Sequence, residues 1–206
     1  MRKKFSGFTL MELMVVMALA GVLLAIAVPN FREFIRNSRL TSAANDLIVS
    51  ISAARTEAVK RQLPVAVCAT ADPNASPPVC SGGAYTAWVV WVDANNNWTP
   101  DNVAAEEVLS RHPRLDASLT VKVDEDESGI VKFLPSGFAA PPGAGGFDPT
   151  SNIVICDERG LDVGTAAGLA GRAMFITATG RARVTRDPDE IEASMAAMGM
   201  AMDECP

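Results

Sequence analysis

The first thing the chain shows is an unbroken apolar run. From Phe8 to Val28 the residues are FTLMELMVVMALAGVLLAIAV, with Glu12 as their only charge. As a helix rising ~1.5 Å per residue, this run reaches about 31 Å, enough to cross a bilayer core. Beyond Pro29 the pattern becomes periodic. Phe31, Phe34, Ile35, Ala44, Leu47, Ile48, Ile51, Ala54 and Ala58 recur at helical spacing, and Arg32, Arg36, Arg39, Asp46, Arg55, Glu57 and Lys60 mostly occupy other faces. The spacing predicts an amphipathic continuation over 29–62, with Pro29 as a kink because it lacks a backbone donor.

From residue 63 the period changes to that of strands. Pro64 to Ala69, Tyr85 to Asp93, Glu107 to His112, Leu119 to Val123, Ile130 to Leu134, Asn152 to Cys156, Arg172 to Thr179 and Arg181 to Thr185 are the candidates. Gly180 separates the last two as a tight turn or bulge. The connections lack helices, which predicts antiparallel pairing. Asp72 to Gly83 and Pro135 to Pro149 are Pro/Gly-rich loops, and the acidic run Asp124 to Glu127 is a solvated hairpin tip. Asp93 to Asn97 reads as a hairpin loop, since it lacks the Gly and distal Glu of a calcium loop. Residues 187–206 form an acidic tail in which Ile191 to Met202 suggests a short helix. The fold expected is α+β: a long N-terminal helix packed on a two-sheet antiparallel β domain over 63–186.

Composition refines this only locally. The net charge of −6 lies wholly in the tail, whose acids begin at Asp187; the rest of the chain is balanced and has no bulk basic character. Arg2, Lys3 and Lys4 precede the apolar run, so the positive-inside rule places the N-terminus in the cytoplasm and the domain after Pro29 across the membrane. Cys68, Cys80, Cys156 and Cys205 all lie beyond the run, and an even count in an exported domain suggests disulfides. Of three connectivities, Cys68–Cys80 and Cys156–Cys205 are favoured. The first closes a short polar loop and the second pins the C-terminus. A zinc site is disfavoured, because there is no CxxC and His112 is the only histidine. No catalytic motif is present, so neither an enzyme nor a cofactor is expected.

A secretory signal peptide would place its cleavage site after the apolar run. Here the plausible site, Gly7, precedes it. Cutting there leaves an α-amine on Phe8, four residues from Glu12 and on the same helix face. A carboxylate in a membrane helix costs up to ~2.5–3.5 kcal/mol at its centre, so it calls for such a partner, within the subunit or from a neighbour.

The stretch from Gly7 to Phe31 resembles the type IV prepilin signature. The resemblance implies a leader over 1–7, cleavage between Gly7 and Phe8 by a prepilin peptidase, N-methylation of Phe8, a membrane and assembly helix over 8–28, and a packing role for Glu12. Ala54 to Arg61, Val65 to Cys68, Trp88 to Asp93, Phe133 to Gly137 and Gly180-Arg-Ala-Arg183 are similar to segments of the FimT/GspH family of minor pilins and pseudopilins. Implied partners are other pilins and the inner membrane. FimT-like members with a GRxR motif bind DNA during natural transformation, which implies double-stranded DNA as a partner. That role would fall on Gly180, Arg181 and Arg183, with Arg172 and Arg186 as helpers. In a strand Arg181 and Arg183 share a face about 7 Å apart, near the spacing of successive phosphates. The alternative within the family is a purely structural, GspH-like pseudopilin of type II secretion.

Overall fold

The computed structural model describes residues 9–80, 85–101, 105–123, 129–140, 152–161, 171–199 and 205. The chain divides into two compact units, 1–38 and 39–206. One helix, α1 (Leu10–Arg61), supplies the described part of the first unit and opens the second. It continues through Pro29 as one helix. In the first unit its large apolar side chains are exposed, from Leu10 to Val28, and this stretch is long and apolar enough to cross a membrane.

In the second unit α1 becomes one-sided. Leu40, Ala43, Ala44, Leu47, Ile51, Ala54 and Ala58 are buried, whereas Ser42, Asn45, Val49 and Ser52 face solvent. From Ala44 onward this is the stripe that the i, i+3/i+4 spacing predicted, but Phe31 and Phe34, expected on it, are exposed in the first unit, and Leu40 and Ala43 join it instead. It packs into a core shared by two antiparallel four-stranded sheets. The first sheet has the order β3 (Val108–His112), β2 (Trp88–Val92), β1 (Val65–Ala69), β5 (Ile130–Phe133). The second has β4 (Leu119–Val123), β6 (Asn152–Asp157), β7 (Arg172–Ile176), β8 (Ala182–Thr185).

The pleat decides which residues reach that core. Val65, Val67 and Ala69 of β1, Trp88, Val90 and Val92 of β2, and Met174 and Ile176 of β7 all enter it. Their neighbours point to the outer faces, where each sheet builds a second apolar layer. Outside the first sheet Ala66, Cys68, Val89, Trp91 and Ile130 cluster with Cys80 and Trp98. Outside the second, Val154, Cys156, Ala173 and Phe175 cluster with Ile191, Met195, Met198 and Cys205. Disulfides Cys68–Cys80 and Cys156–Cys205 join strand to cover in the two cases. This is the pairing favoured by sequence.

Several boundaries differ from expectation. β2 is shorter than Tyr85–Asp93, because Tyr85 and Ala87 are buried outside the ladder and Asp93 starts a turn. Asp93 accepts hydrogen bonds from the backbone N–H groups of Asn97 at 3.1 Å and Trp98 at 2.8 Å, which closes that turn. β7 stops at Ile176, because Thr177, Thr179 and Gly180 make the turn into β8. The tail helix, α2 (Pro188–Ala197), starts earlier than expected. The Asp187 side chain accepts from the Asp189 N–H at 3.0 Å, and Pro188 sits in the first turn, where its missing donor costs nothing. The hairpin tip expected at Asp124–Glu127 lies outside the described residues.

Candidate functional site

Two groups of residues were singled out by sequence, one at the head of α1 and one around β7–β8. Gly7 and Phe8, the expected processing and methylation positions, lie outside the described residues. Glu12 is exposed in the first turn of α1. Its backbone N–H donates to Thr9 Oγ1 at 3.2 Å, and Leu13 N–H donates to Thr9 C=O at 3.1 Å. Thr9 therefore caps the helix, and Glu12 holds the third helical position, where a carboxylate favours the positive end of the helix dipole. The Thr-x-x-Glu spacing in the sequence already carried that signal.

The arginines do not form one surface. The β7–β8 register pairs Phe175 with Arg183, Met174 with Val184 and Ala173 with Thr185. Met174, Ala182 and Val184 pack on the shared core. The alternate residues Arg181 and Arg183 therefore face outward, as the i, i+2 rule required. Both are exposed. Arg183 lies over the Phe175 ring, 4.4 Å from its centroid. Its Nη1 and Nη2 both donate to Glu190 of α2 at 2.9 Å. Arg183 holds the Glu190 carboxyl below the usual carboxylate range, and Thr185 adds to this. The Arg181 side chain, by contrast, has no partner among the described residues.

Arg172 has the opposite orientation, and the expectation that it assists at the surface is corrected. It shares the inward parity of Met174 and is only 4% exposed. Its Nη1 donates to Gly171 C=O at 2.8 Å, and its Nη2 lies 3.4 Å from Thr41 Oγ1 of α1. Its Nε is buried without a partner. Burial, with further contributions from Arg186 and Arg159, lowers its pKa to about 10. Arg186 is exposed.

Gly180 is buried, with φ +75°, and a Cβ there would lie 2.4 Å from Gly137 C=O and 3.0 Å from Arg55 Nε. Gly137 has φ +79° and would meet Val59 of α1 at 2.8 Å. Arg55 Nε donates to Gly137 C=O at 2.8 Å. The glycine of the GRxR segment is therefore a packing requirement: it lets two turns close on one helix side chain. All three segments carry family resemblance in the sequence, but their meeting is not visible there, since they are far apart along the chain.

Among the described residues no group of His, Cys, Asp and Glu is placed to hold a metal ion.

Comparison with known proteins places two family models on the chain. Residues 43–185 match the family model described as type II transport protein GspH, and residues 2–28 match the prokaryotic N-terminal methylation motif. The chain is 28% identical over 182 residues to the pilin-like protein PilA1 of Thermus thermophilus, covering 86% of this chain and 97% of that one. It is 51% identical over 41 residues to the type IV major pilin protein PilA of Myxococcus xanthus, which is 20% of this chain and 19% of that one. It is 37% identical over 59 residues to the type IV major alpha-pilin of Moraxella bovis, or 29% and 37% of the two chains. The match thus spans well under half the length of these major pilins. Among solved structures, the type IV minor pilin FimU of Pseudomonas aeruginosa aligns with a TM-score of 0.48 and 20% identity, covering 76% of this chain and 94% of that one. With the GspH model matched over most of the second unit and the methylation motif at the head of the first, the chain belongs to the GspH family of minor pilins and pseudopilins.

Proposed function

We propose that this chain is a minor pilin that helps to initiate or tip a type IV pilus. A prepilin peptidase cuts between Gly7 and Phe8, Phe8 is N-methylated, and residues 8–28 hold the protein in the inner membrane with its N-terminus cytoplasmic and its head periplasmic. In the filament, Glu12 meets the Phe8 amine of a neighbouring pilin. The supporting observation is the exposed apolar length of α1 from Leu10 to Val28 with Glu12 as its single charge. A side chain of that cost has use where a cation meets it. Intact mass of the mature protein should begin at Phe8 with one added methyl. Glu12→Ala should insert normally and be depleted from sheared filaments; equal incorporation would remove the amine-pairing role. The alternative placement, in a type II secretion pseudopilus, predicts a secretion defect with normal pili on deletion.

DNA capture is a second reading, supported by the outward Arg181, which is exposed and has no side-chain partner among the described residues. Arg183 shares that face but is held by Glu190. In this reading the protein in detergent retards duplex DNA at low salt, Arg181→Ala with Arg183→Ala abolishes the shift, and unaltered DNA mobility at high micromolar protein ends it.

A further inference from the structure

We propose that Arg172 and Arg186 form a seat for a phosphate dianion, free or as a monoester, on the inward side of the β7–β8 edge. The site is separate from the outward Arg181–Arg183 face, and the inference does not depend on the DNA reading.

The first ground is a buried charge that forms no ion pair among the described residues. Arg172 is 4% exposed, and its two hydrogen-bonded contacts are neutral, a backbone carbonyl and a distant hydroxyl. Its Nε is buried and unsatisfied. Leaving a charged donor in that state is costly, because the group has given up water and gained nothing equivalent. Nε and the weakly engaged Nη2 form the side of the guanidinium that grips two oxygens at once.

The second ground is the company Arg172 keeps. Ala173 pairs with Thr185 across the ladder, so Arg172 and Arg186 follow at facing positions, one step beyond that pair. Like charges directly opposite each other repel. The nearby carboxylate, Asp157, is taken: Arg159 grips it through Nε at 3.0 Å and Nη2 at 2.7 Å. Asp157–Arg159 is therefore close to neutral, and Arg172 and Arg186 bring two positive charges that have no ion-pair partner among the described residues. One carboxylate or one phosphodiester brings a single negative charge, whereas a phosphate dianion or monoester carries about −1.5 to −2 at neutral pH. Charge balance thus selects the dianion.

The third ground is access. β8 is the edge strand of its sheet, and Arg186 at its end is exposed. An anion arriving from that edge meets Arg186 in solvent first. The Arg172 Nε–Nη2 edge is the second arm of the grip.

The test uses the processed full-length chain in detergent, with inorganic phosphate titrated against chloride at fixed ionic strength. Thermal unfolding is followed by tryptophan emission, and binding by the phosphorus NMR line width. Phosphate should raise the unfolding midpoint saturably, by roughly 5–10 °C at a hundredfold excess over half-saturation. Arg186→Gln should flatten the response, and Arg181→Ala should leave it unchanged. Arg172→Met should abolish it while raising the midpoint in phosphate-free buffer; should that variant fail to fold, Arg186→Gln alone decides. The proposal is overturned by a phosphate response no larger than that of chloride, by its persistence in Arg186→Gln, or by its loss in Arg181→Ala. An equal effect of acetate or dimethyl phosphate overturns the dianion class, and tighter binding of a duplex oligonucleotide than of phosphate overturns the small-anion assignment.

Discussion

The two sheets hide their outer faces by different means. Outside the first, the cover is Trp98 together with a proline-rich loop tied down by side chains. Cys68–Cys80 anchors it, Arg111 Nη1 donates to the carbonyls of Pro73 and Ala75, and Arg114 Nη2 donates to Ala71 C=O at 2.9 Å. Outside the second, the cover is α2, which brings its own apolar stripe. Ile191, Met195 and Met198 lie on Val154, Ala173 and Phe175, with Cys156–Cys205 behind them and Arg183–Glu190 at the rim. A loop with few apolar residues has to be held by bonds to its backbone. A helix with a stripe is held largely by burial, and its polar contacts are secondary.

The comparison breaks most severely at the disulfides. Serine at both Cys156 and Cys205 should cost about 4 kcal/mol, against about 3 kcal/mol for Cys68 and Cys80, because the loops closed differ in length. Chemical denaturation of the oxidised protein measures both, and equal losses would show that native-state strain, not chain entropy, sets the order. Next comes Ile191→Ala, which empties a fully buried position. A loss of about 2–4 kcal/mol is expected, with α2 amides exchanging faster than the β6–β7 ladder. Arg111→Ala should cost about 1–2 kcal/mol, confined to faster exchange and easier proteolysis over residues 70–79.

The smallest effect is at Glu190. Its folded pKa lies below the ordinary glutamate value of 4.5, so its contribution is present above that value and disappears as the pH falls through the folded pKa. The pair is exposed, so Glu190→Gln should barely move the unfolding midpoint, and added salt should mask the change. If the DNA reading holds, the same variant frees Arg183 and strengthens retardation at low salt.

What the sequence made legible follows from distance along the chain. The apolar run, the stripe of α1 and the strands are local periodicities. The disulfide pairing was also readable, because one loop is short and the other cysteine is near the C-terminus. Arg172 was misplaced because its side is set by parity within β7 relative to a core built from the other sheet and α1. A buried guanidinium leaves no trace in a one-dimensional pattern. The tail reads as acidic with a short helix, but its role as a cover does not, since Ile191, Met195 and Met198 find a shared buried face only once α2 lies on β6 and β7. Glu12 carries two meanings at once, a capping one in the Thr9 turn and an assembly one, and the same residue spacing serves both.

The meeting of Arg55 with the turns at Gly137 and Gly180 has a consequence for how such heads diverge. Three segments that could otherwise drift independently are coupled at one point: a side chain gained at either glycine collides with the opposite turn or with the helix, and shortening Arg55 leaves the Gly137 carbonyl without its donor. A chimera that swaps the β7–β8 hairpin between two such proteins should therefore fold only when the matching helix segment and the other turn are transplanted with it.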